Sequence, residues 1–365
     1  MFSDQDFDYM RRALALGEHG MFTTAPNPRV GCVIVSQGRV IGEGWTQPAG
    51  QDHAEIQALK HAAARGHSVR GATAYVTLEP CSHFGRTPPC ANALIEAGIK
   101  RVIAAMEDPN PLVAGRGLAI LRNAGIEVRC GLLEQEAQEL NIGFVSRMTR
   151  GLPWVRLKVA ASLDGKTALH NGVSQWLTGE TARADGHAWR ARACAILTGI
   201  GTVREDNPAL TVRAVPTPRQ PLRVLVDSQL DVPLSARVLA DGHALVACAN
   251  APAERAAHLR ELGIEVLDLP NPHGKVDLPA LMRALGERQI NELHVEAGFK
   301  LNGSLLREGC VDELLTYLAP SILGDAQGMF NLPALTDLAP RIALRFHDVR
   351  LLDDDLRIVA RVRRD

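Results

Sequence analysis

The sequence has few aromatic residues, almost no net charge and no long apolar run. Phe, Trp and Tyr make up 4% of its 365 residues, and the formal net charge is −1. A nucleic-acid partner would require a basic surface and aromatic side chains for stacking, and the composition supports neither. No segment approaches the ~18 consecutive apolar residues of a membrane span. We therefore expect no nucleic-acid partner and no membrane association.

Signals for disulfide formation and secretion are also missing. The seven cysteines, at positions 32, 81, 90, 130, 194, 248 and 310, form an odd set without the spacing of a disulfide framework. Residues 1–6 are acidic and lack the apolar core of a secretory signal. A reducing, cytoplasmic location fits these observations best.

Length and composition predict two globular domains. At ~150 residues per domain the chain suggests two, and 46% hydrophobic with 22% charged residues is typical of globular proteins. The pattern of strands and helices restarts after Gly151-Leu152-Pro153. We predict a first domain over residues 1–146, a linker over 147–153 and a second domain over 154–365. Both domains mix strand and helix patterns, which predicts an α/β fold.

The predicted elements of the first domain follow the order α-β-β-α-β-α-β-α-β-α. This order implies a mixed sheet with helices on both faces. One long polar helix is predicted at about 133–150, because Gly151 and Pro153 would stop it. In the second domain, strands are predicted at 154–161, 195–198, 222–227, 244–248, 265–267 and 292–296, with helices at about 180–192, 252–262 and 277–289.

The most informative segment combines an imidazole, two thiols and a carboxylate. His53-Ala54-Glu55 opens a predicted helix, Cys81 follows a predicted strand after Pro80, and Cys90 opens the next predicted helix. Three nitrogen and sulfur ligands leave a fourth tetrahedral position open, which is typical of a catalytic zinc site. Glu55 lies near enough to move protons without ligating the metal. The pattern matches the H-x-E and P-C-x-x-C signature of zinc deaminases, except that eight residues separate the cysteines.

Two other interpretations start from the same residues. His83, in the wide loop between the cysteines, offers a fourth ligand, which would make a closed structural zinc site beside an assembly domain. Alternatively, a deaminase of nucleic-acid bases would carry the second domain as an accessory binding domain. That enzyme would need a basic groove with aromatic side chains, which the composition does not support.

The second domain lacks the standard nucleotide-binding motifs. Gly165-Lys166-Thr167 resembles the end of a P-loop, but Ala160 stands where the first glycine is required. Gly199-Ile200-Gly201 follows a predicted strand, but Arg204 replaces the third glycine of the dinucleotide fingerprint. We therefore expect no classical Rossmann domain.

A strand-to-helix transition at residues 292–304 is the better candidate for a cofactor site. The strand ends at Glu296 and passes through Gly298 into a predicted helix. Backbone amides at a helix start can bind a cofactor phosphate. An ordinary strand–helix turn explains Gly298 equally well.

Several motifs together resemble a single family. In the first half they are Pro26-Asn27-Pro28, His53-Ala54-Glu55, the run from Pro80 to Cys90, Asp108-Pro109-Asn110-Pro111 and Gly115-Arg116-Gly117. In the second half they are Lys158-x-x-x-Ser162-Leu163-Asp164-Gly165, Ser174-Gln175-Trp176 and Asp206-Asn207-Pro208-x-Leu210-Thr211-x-Arg213. By these residues nearly the whole chain closely resembles the bifunctional riboflavin-biosynthesis deaminase/reductase family.

The resemblance implies both a fold and a pair of reactions. It implies a cytidine-deaminase-like three-layer α/β/α domain, followed by a dihydrofolate-reductase-like α/β domain that binds NADPH. The first reaction would be zinc-dependent hydrolytic deamination of 2,5-diamino-6-ribosylamino-4(3H)-pyrimidinone 5′-phosphate. The second would reduce the ribosyl side chain with NADPH to give 5-amino-6-ribitylaminouracil 5′-phosphate. The partner is thus a phosphorylated small molecule, and a homo-oligomer is expected.

The resemblance also implies roles for individual residues. In the deaminase these are the metal ligands His53, Cys81 and Cys90, the proton shuttle Glu55, and the substrate contacts Asn27, His83 and Arg86. In the reductase, the cofactor contacts are Ala160, Trp176, Thr202, Asp206, Gly298, Gly303 and Ser304. The substrate contacts there are Ser174, Arg190, Leu210, Arg213 and Glu296. Lys158, Asp206 and Glu296 are the ionisable groups expected nearest the reductase chemistry, and the sequence does not decide which of them handles protons.

Some of these residues have equally simple explanations without the resemblance. Asn27 is then a turn residue between prolines, and Arg86 a solvated charge on a loop. Arg190 and Arg213 are then charges on a helix face or a strand edge. The preference for NADPH over NADH comes from the resemblance alone.

Overall fold

The computed structural model describes residues 1–82, 89–111 and 113–364, and the chain divides into two compact units. Unit 1 comprises Met1–Gly151 and unit 2 comprises Leu152–Asp365. This boundary lies inside the segment that the sequence predicts as a linker, 147–153, although residues 147–150 are helical. Among the described residues, no helix has both the length and the apolar character needed to cross a bilayer.

Unit 1 is built on a five-stranded mixed sheet. Its helices are α1 (Asp4–Glu18), α2 (Ala54–Ala64), α3 (Cys90–Glu96), α4 (Arg116–Asn123), α5 (Glu134–Leu140) and α6 (Ile142–Arg150). Its strands are β1 (Gly31–Ser36), β2 (Arg39–Trp45), β3 (Thr73–Val76), β4 (Arg101–Ala104) and β5 (Glu127–Cys130). The strand order is β2-β1-β3-β4-β5, with β1 antiparallel to both neighbours and β3, β4 and β5 parallel. The predicted mixed sheet is confirmed.

Glycines allow two helices to pack closely on opposite faces of this sheet. A Cβ atom at Gly31 would lie 1.8 Å from the Ala13 carbonyl oxygen of α1. A Cβ atom at Gly44 would lie 2.5 Å from the Ala54 carbonyl oxygen of α2. Gly44 pairs with Cys32, the residue next to Gly31, so α1 and α2 face opposite sides. The close contact at Gly44 sets the position of the start of α2.

The prediction of one long helix at 133–150 is wrong. Two helices, α5 and α6, meet at Asn141, which has φ −114°. The buried Asn141 amide accepts a hydrogen bond from the Arg29 backbone N–H at 2.7 Å and donates to the Arg29 carbonyl at 2.9 Å. These bonds to a distant segment replace regular helix geometry, and local sequence does not reveal them.

Unit 2 is built on a nine-stranded sheet. Its helices are α7 (Glu180–Arg192), α8 (Ile200–Asp206), α9 (Ala253–Glu261), α10 (Leu278–Glu287) and α11 (Phe299–Arg307). Its strands are β6 (Trp154–Ser162), β7 (Lys166–Ala168), β8 (Ala195–Gly199), β9 (Leu222–Val226), β10 (Ala244–Cys248), β11 (Glu265–Asp268), β12 (Glu292–Val295), β13 (Glu313–Ala319), β14 (Gln327–Gly328), β15 (Leu344–Leu352) and β16 (Asp355–Val362).

The order of the large sheet is β11-β10-β9-β8-β12-β6-β13-β16-β15. The first seven strands in this order are parallel, and the β15–β16 hairpin completes one edge in antiparallel orientation. Strands β7 and β14 form a separate small sheet. Because the central strands are parallel, their carboxyl ends meet at one edge, where α/β proteins usually bind ligands.

One face of the central strands of unit 2 is polar and buried. Arg156 on β6 forms ion pairs with Glu292 on β12, at 3.1 Å, and with Glu313 on β13, at 2.5 Å. All three side chains are at most 2% exposed. Trp189 of α7 covers the Arg156 guanidinium at 4.3 Å from its ring centroid. The buried charges are therefore paired, as a low-dielectric interior requires.

Candidate functional site

His53, Cys81 and Cys90 come together in unit 1 as a group that can hold a metal. Their ligand atoms all lie within 4.8 Å of one another. His53 precedes the first residue of α2, Cys90 is the first residue of α3, and Cys81 lies beyond the end of β3. The fold thus brings together the three residues that the sequence predicts as metal ligands, although His53 and Cys90 are 37 positions apart.

The distances within this group fit a tetrahedral zinc site. His53 Nδ1 lies 3.6 Å from Cys81 Sγ and 3.3 Å from Cys90 Sγ. A tetrahedron with Zn–S bonds of about 2.3 Å and Zn–N bonds of about 2.0 Å has N···S edges of about 3.5 Å. One nitrogen and two sulfur donors are also the ligands that zinc prefers. The residues present therefore fit the metal that the sequence predicts.

The electrostatics of the group lower the pKa of Cys81 and raise the pKa values of Cys90 and Glu55. A hydrogen bond from the Cys90 thiol, opposed by burial and aided by His53, lowers the pKa of Cys81 to about 4. The same bond and burial raise the pKa of Cys90. Burial, followed by the charge of Cys81, raises the pKa of Glu55 to about 7. A carboxyl group with such a pKa can both accept and donate a proton near neutral pH.

The predicted deaminase substrate contacts are only partly described. Asn27 is half-buried in the turn after α1, where its N–H donates to the Thr24 carbonyl at 2.9 Å. This backbone geometry is that of a turn residue. His83 and Arg86 lie outside the described residues.

A buried carboxylate near the metal group was missed at the sequence level. Glu79, two residues before Cys81, is 3% exposed and accepts hydrogen bonds from four backbone N–H groups. The only sequence signal is a charged residue next to an apolar strand, since all four donors lie 29 to 39 residues further along the chain.

In unit 2, Arg190 and Glu296 form a bidentate ion pair. Arg190 Nη2 donates to Glu296 Oε2 at 2.7 Å, and Arg190 Nε donates to Oε1. Burial alone would raise the pKa of Glu296, but the charge and hydrogen bonds of Arg190 hold it well below its usual range. Lys158 lies close enough to feel both charges, and burial lowers the pKa of its ammonium group.

Two histidines beside this ion pair were not predicted. His294 Nε2 lies 3.3 Å from Glu296 Oε1, and the His294 ring is fully buried. His187 accepts a hydrogen bond from the Arg213 backbone N–H at 3.3 Å. Burial is the main cause that lowers the pKa of each ring. His294 could have been found from alternation along β12, because it shares a face with Glu296.

A cavity of about 830 Å³ lies at the carboxyl ends of β8, β9 and β12. Its volume is within the range of small-molecule sites. The start of α11 faces it, and Gly298, which precedes that helix, supplies no side-chain cap, so the first amides remain available to a phosphate. Gly298 and Thr202 lie close together in the lining of the cavity: a Cβ atom on Gly298 would lie 3.6 Å from Thr202 Oγ1. These features fit a dinucleotide cofactor.

The predicted cofactor residues are distributed unevenly around this cavity. Thr202, Gly298 and Ser304 line it. Gly303 faces the other way, since a Cβ atom there would lie 2.2 Å from the Asn331 carbonyl oxygen. The remaining three predicted cofactor residues, Ala160, Trp176 and Asp206, are not among its lining.

These three residues lie elsewhere in unit 2. Ala160 packs against the small core that contains Tyr317. The Trp176 ring is 71% exposed and stacks under the Arg183 guanidinium at 4.9 Å. Asp206 accepts a hydrogen bond from the Gln175 side chain at 3.3 Å, which ties the 174–176 motif to α8.

The predicted substrate residues of the reductase differ in their surroundings: two are arginines that contact Thr211, and one is a leucine in the core. Arg190 and Arg213 both contact Thr211, through its carbonyl at 3.1 Å and its hydroxyl at 3.2 Å. Ser174 is half-buried. Leu210 has φ +49° and a side chain that packs in the apolar core at 3% exposure. The whole residue is therefore buried, and its side chain belongs to the core.

Residues after β9 were also missed. Asp227, Ser228 and Gln229 line the cavity directly beyond the carboxyl end of that strand, and Lys275 lines it from the segment before α10. The rule that ligands bind beyond the carboxyl ends of parallel strands points to the residues after β9 as it does to Gly199 after β8. The sequence analysis tested glycine motifs and did not apply this rule.

Two family models match the chain. The cytidine and deoxycytidylate deaminase zinc-binding region matches residues 3–106, and the RibD C-terminal domain matches residues 153–358.

Similar proteins of known name span the whole chain. The riboflavin biosynthesis protein RibD of Escherichia coli strain K12 is 48% identical, over 96% of this chain and 98% of that protein. RibD of Haemophilus influenzae is 45% identical, over 98% and 97%.

Solved structures agree in fold. Acinetobacter baumannii RibD superposes with a TM-score of 0.91 at 43% identity and covers 99% of both chains. A Thermotoga maritima diaminohydroxyphosphoribosylaminopyrimidine deaminase/5-amino-6-(5-phosphoribosylamino)uracil reductase has a TM-score of 0.87 at 34% identity, over 98% of this chain and 99% of that one.

Proposed function

This chain belongs to the RibD family of bifunctional riboflavin-biosynthesis proteins, and on that premise we propose which reaction each unit performs and with which residues. Unit 1 deaminates 2,5-diamino-6-ribosylamino-4(3H)-pyrimidinone 5′-phosphate, and unit 2 reduces the ribosyl side chain of the product with NADPH. We assign the deaminase to residues 1–146 and the reductase to 154–365, with 147–153 as the linker. The observation that carries the proposal is the His53, Cys81 and Cys90 group beside Glu55.

The metal ligands in unit 1 are His53, Cys81 and Cys90. When bound, zinc supplies a Lewis acid that makes water a nucleophile near neutral pH. The distances from His53 Nδ1 to the two sulfur atoms, 3.6 Å for Cys81 and 3.3 Å for Cys90, support this assignment. Asn27, His83 and Arg86 are the proposed contacts with the pyrimidine and its phosphate.

Glu55 moves the protons of the deamination. Its carboxylate oxygen takes a proton from the attacking water and gives it to the departing amine, so that ammonia leaves and the ring gains a carbonyl. Its side chain is 4% exposed, and so bulk water does not compete for the proton. A pKa of about 7 places the two protonation states near balance at neutral pH.

NADPH occupies the cavity of unit 2. When bound, it supplies the hydride for reduction at C1′ of the ribosyl group. The amides at the start of α11 and the hydroxyl of Thr202 would hold its phosphates. Ser304, whose hydroxyl donates to the Lys300 carbonyl at 3.2 Å, would line the site. Ala160, Trp176, Asp206 and Gly303 complete the set by family motif.

Arg190 and Arg213 bind the phosphate of the reductase substrate, because guanidinium groups recognise phosphate oxygens with paired donors. Ser174, Leu210 and Glu296 complete the set of substrate contacts. Glu296 is already committed to Arg190 by two hydrogen bonds and stays ionised, so it orients that arginine. Lys158, whose pKa burial lowers, is the better candidate for handling a proton.

We also propose a homo-oligomer in the cytoplasm. Strand β15 is the last strand of the large sheet and has nine residues. Four apolar side chains on it are exposed, namely Leu344, Phe346, Val349 and Leu351. Long apolar edge strands usually have a partner strand or cover in the assembled protein. The seven free cysteines agree with a reducing compartment.

The test compares wild type, Glu55→Ala and Glu96→Ala, a control on the exposed end of α3. Each protein is given the diaminopyrimidinone substrate, and ammonia release and NADPH oxidation are followed. We expect Glu55→Ala to keep its zinc, lose ammonia release, and oxidise NADPH only when given the deaminated intermediate. The control should perform both reactions.

Two outcomes contradict the proposal separately. Normal ammonia release by Glu55→Ala would remove the role of Glu55. If no protein oxidises NADPH with the deaminated intermediate, the reductase assignment is wrong.

A further inference from the structure

The Glu79 carboxylate is the centre of a buried set of hydrogen bonds in unit 1. Oε1 accepts from the backbone N–H of Gly117 at 2.7 Å and of Leu118 at 3.2 Å. Oε2 accepts from the N–H of Asp108 at 3.0 Å and of Gly115 at 2.9 Å. Two of these donors belong to the first turn of α4, where unpaired amides and the helix dipole favour a negative charge. The Glu79 carboxylate, which lies beyond the end of β3, thus caps the start of α4.

The same contact lies directly beside a metal ligand. Glu79 and Pro80 connect β3 to Cys81, and the Glu79 backbone N–H continues the strand by donating to the Met106 carbonyl at 3.0 Å. Gly117 approaches so closely that a Cβ atom there would lie 2.0 Å from the Pro80 carbonyl oxygen. The segment before Cys81 is therefore held by the side chain of Glu79 and by backbone packing at Pro80.

Cys81 is tied to the rest of the metal group from its other side. Its carbonyl accepts from the Ala91 N–H at 3.2 Å, and its sulfur accepts from the Cys90 N–H at 3.2 Å. Both contacts connect it to α3. The position of Cys81 relative to His53 consequently depends on two supports, α3 on one side and the contact of Glu79 with α4 on the other.

We propose that Glu79 is a positioning residue for the metal site, which holds Cys81 in ligating geometry by fastening Pro80 to the start of α4. The inference rests on the proposed zinc site. It gives the Gly115-Arg116-Gly117 motif a role that neither reaction assigns. Gly117 lets the backbone approach Glu79 and Pro80, and Gly115 adopts the left-handed φ of +74° that turns the chain into α4. Ligand geometry that is held before the metal arrives raises metal affinity.

Glu79→Gln in the full-length protein tests this directly. Glutamine has the same shape but one acceptor oxygen, so its amino group must face two of the four N–H donors. Cobalt(II) and zinc affinities are measured by competition with a chelator, and the cobalt–thiolate absorption reports ligand geometry. We expect metal binding about 10- to 100-fold weaker than in wild type, with an altered cobalt spectrum.

Asp6→Asn is the matched control. Asp6 is also a buried carboxylate of unit 1 that caps a helix, and it accepts from the Ser3 N–H at 2.9 Å and from the Tyr75 hydroxyl at 2.7 Å. It does not belong to the metal group. We expect its loss to leave metal affinity and the cobalt spectrum unchanged. Equal affinities and spectra in Glu79→Gln and Asp6→Asn would overturn the inference.

Wild type and Cys81→Ser separate this inference from the proposed zinc site. If wild type binds no metal, or if Cys81→Ser binds it as wild type does, the zinc site itself is wrong. If those two behave as expected and Glu79→Gln equals wild type, only the role of Glu79 is wrong. Oxidation of NADPH with the deaminated intermediate shows that unit 2 of each variant is folded.

Hydrogen exchange on the unsubstituted protein covers the case in which Glu79→Gln does not fold. Coupling between two sites is reciprocal, so the metal must stabilise the contact of Glu79 as that contact stabilises the metal site. Chelation of the metal should therefore speed exchange of the Gly115, Gly117 and Leu118 amides more than exchange at the start of α1. No change at these amides, or an equal change in α1, would contradict the proposal.

Discussion

Replacing Arg156 with methionine should destabilise unit 2 strongly, although Arg156 is not among the predicted substrate or cofactor contacts. The substitution keeps most of the side-chain volume and removes the charge. Glu292 and Glu313 then remain in the interior without their shared partner. Breaking a buried pair by removing one partner typically costs about 3–5 kcal/mol.

The lower end of that range is expected, because each carboxylate keeps another arginine. Arg192 lies 2.7 Å from Glu292, and Arg361 lies 3.3 Å from Glu313. The loss of the stacking contact between Arg156 and Trp189 adds to the cost. We expect a loss of about 3 kcal/mol in the free energy of unfolding, which is about a hundredfold in the folding equilibrium.

Urea unfolding followed by NADPH oxidation measures this loss for unit 2 alone. With a slope of about 2–3 kcal/mol per molar urea, the midpoint should fall by about 1 M. Arg288→Met is the control, since Arg288 and its partner Glu265 are 32% and 48% exposed and the pair should contribute less than about 1 kcal/mol. A midpoint for Arg156→Met within experimental error of wild type would refute the reasoning.

Three further predictions follow from single contacts. Glu296→Gln should reduce the loss of stability of unit 2 below about pH 4.5, which urea midpoints measured at several pH values will check. The pKa of Glu296 is lower in the folded than in the unfolded state, so its ion pair stabilises fully above the unfolded pKa and is lost as pH falls through the folded pKa. Gly44→Ala should destabilise unit 1 by about 1–3 kcal/mol and weaken metal binding, because its Cβ would meet the Ala54 carbonyl beside His53, and a metal titration with unchanged affinity would contradict this. Asn141→Ala should cost about 1–3 kcal/mol in unit 1 by leaving buried backbone groups unpaired, measured as a lower thermal midpoint for zinc release.

The metal group was the part of the site most accessible to sequence reasoning. His53 and Cys90 lie at helix starts and Cys81 lies in the loop after β3, and such boundaries are marked by local residue pattern. The donor types then name the metal chemistry, because few residues ligate zinc. The break at Asn141 could not be predicted in the same way, since its partner Arg29 lies 112 residues away.

The reductase site was predicted less completely for the same reason. Lys158, Arg190 and Glu296 were named from the family resemblance, but their arrangement as one cluster comes from the adjacent parallel strands β6 and β12 and from α7, which carries Arg190. His294 and Ser228 lie at positions that no motif marks. Alternation along β12 and the carboxyl end of β9 identify them once the sheet order is known.

The sequence by itself determined the chemistry that is available to this protein: an imidazole, two thiols and a carboxylate at spacings typical of a zinc deaminase, followed by a domain without a Rossmann fingerprint. Those features depend on residue type and on local periodicity, which neighbouring residues specify. The tertiary structure alone decided which charges are neighbours, such as Glu79 with the start of α4 and Arg156 with Glu292 and Glu313. These contacts join residues 38 to 157 positions apart, and strand order and helix packing bring them together.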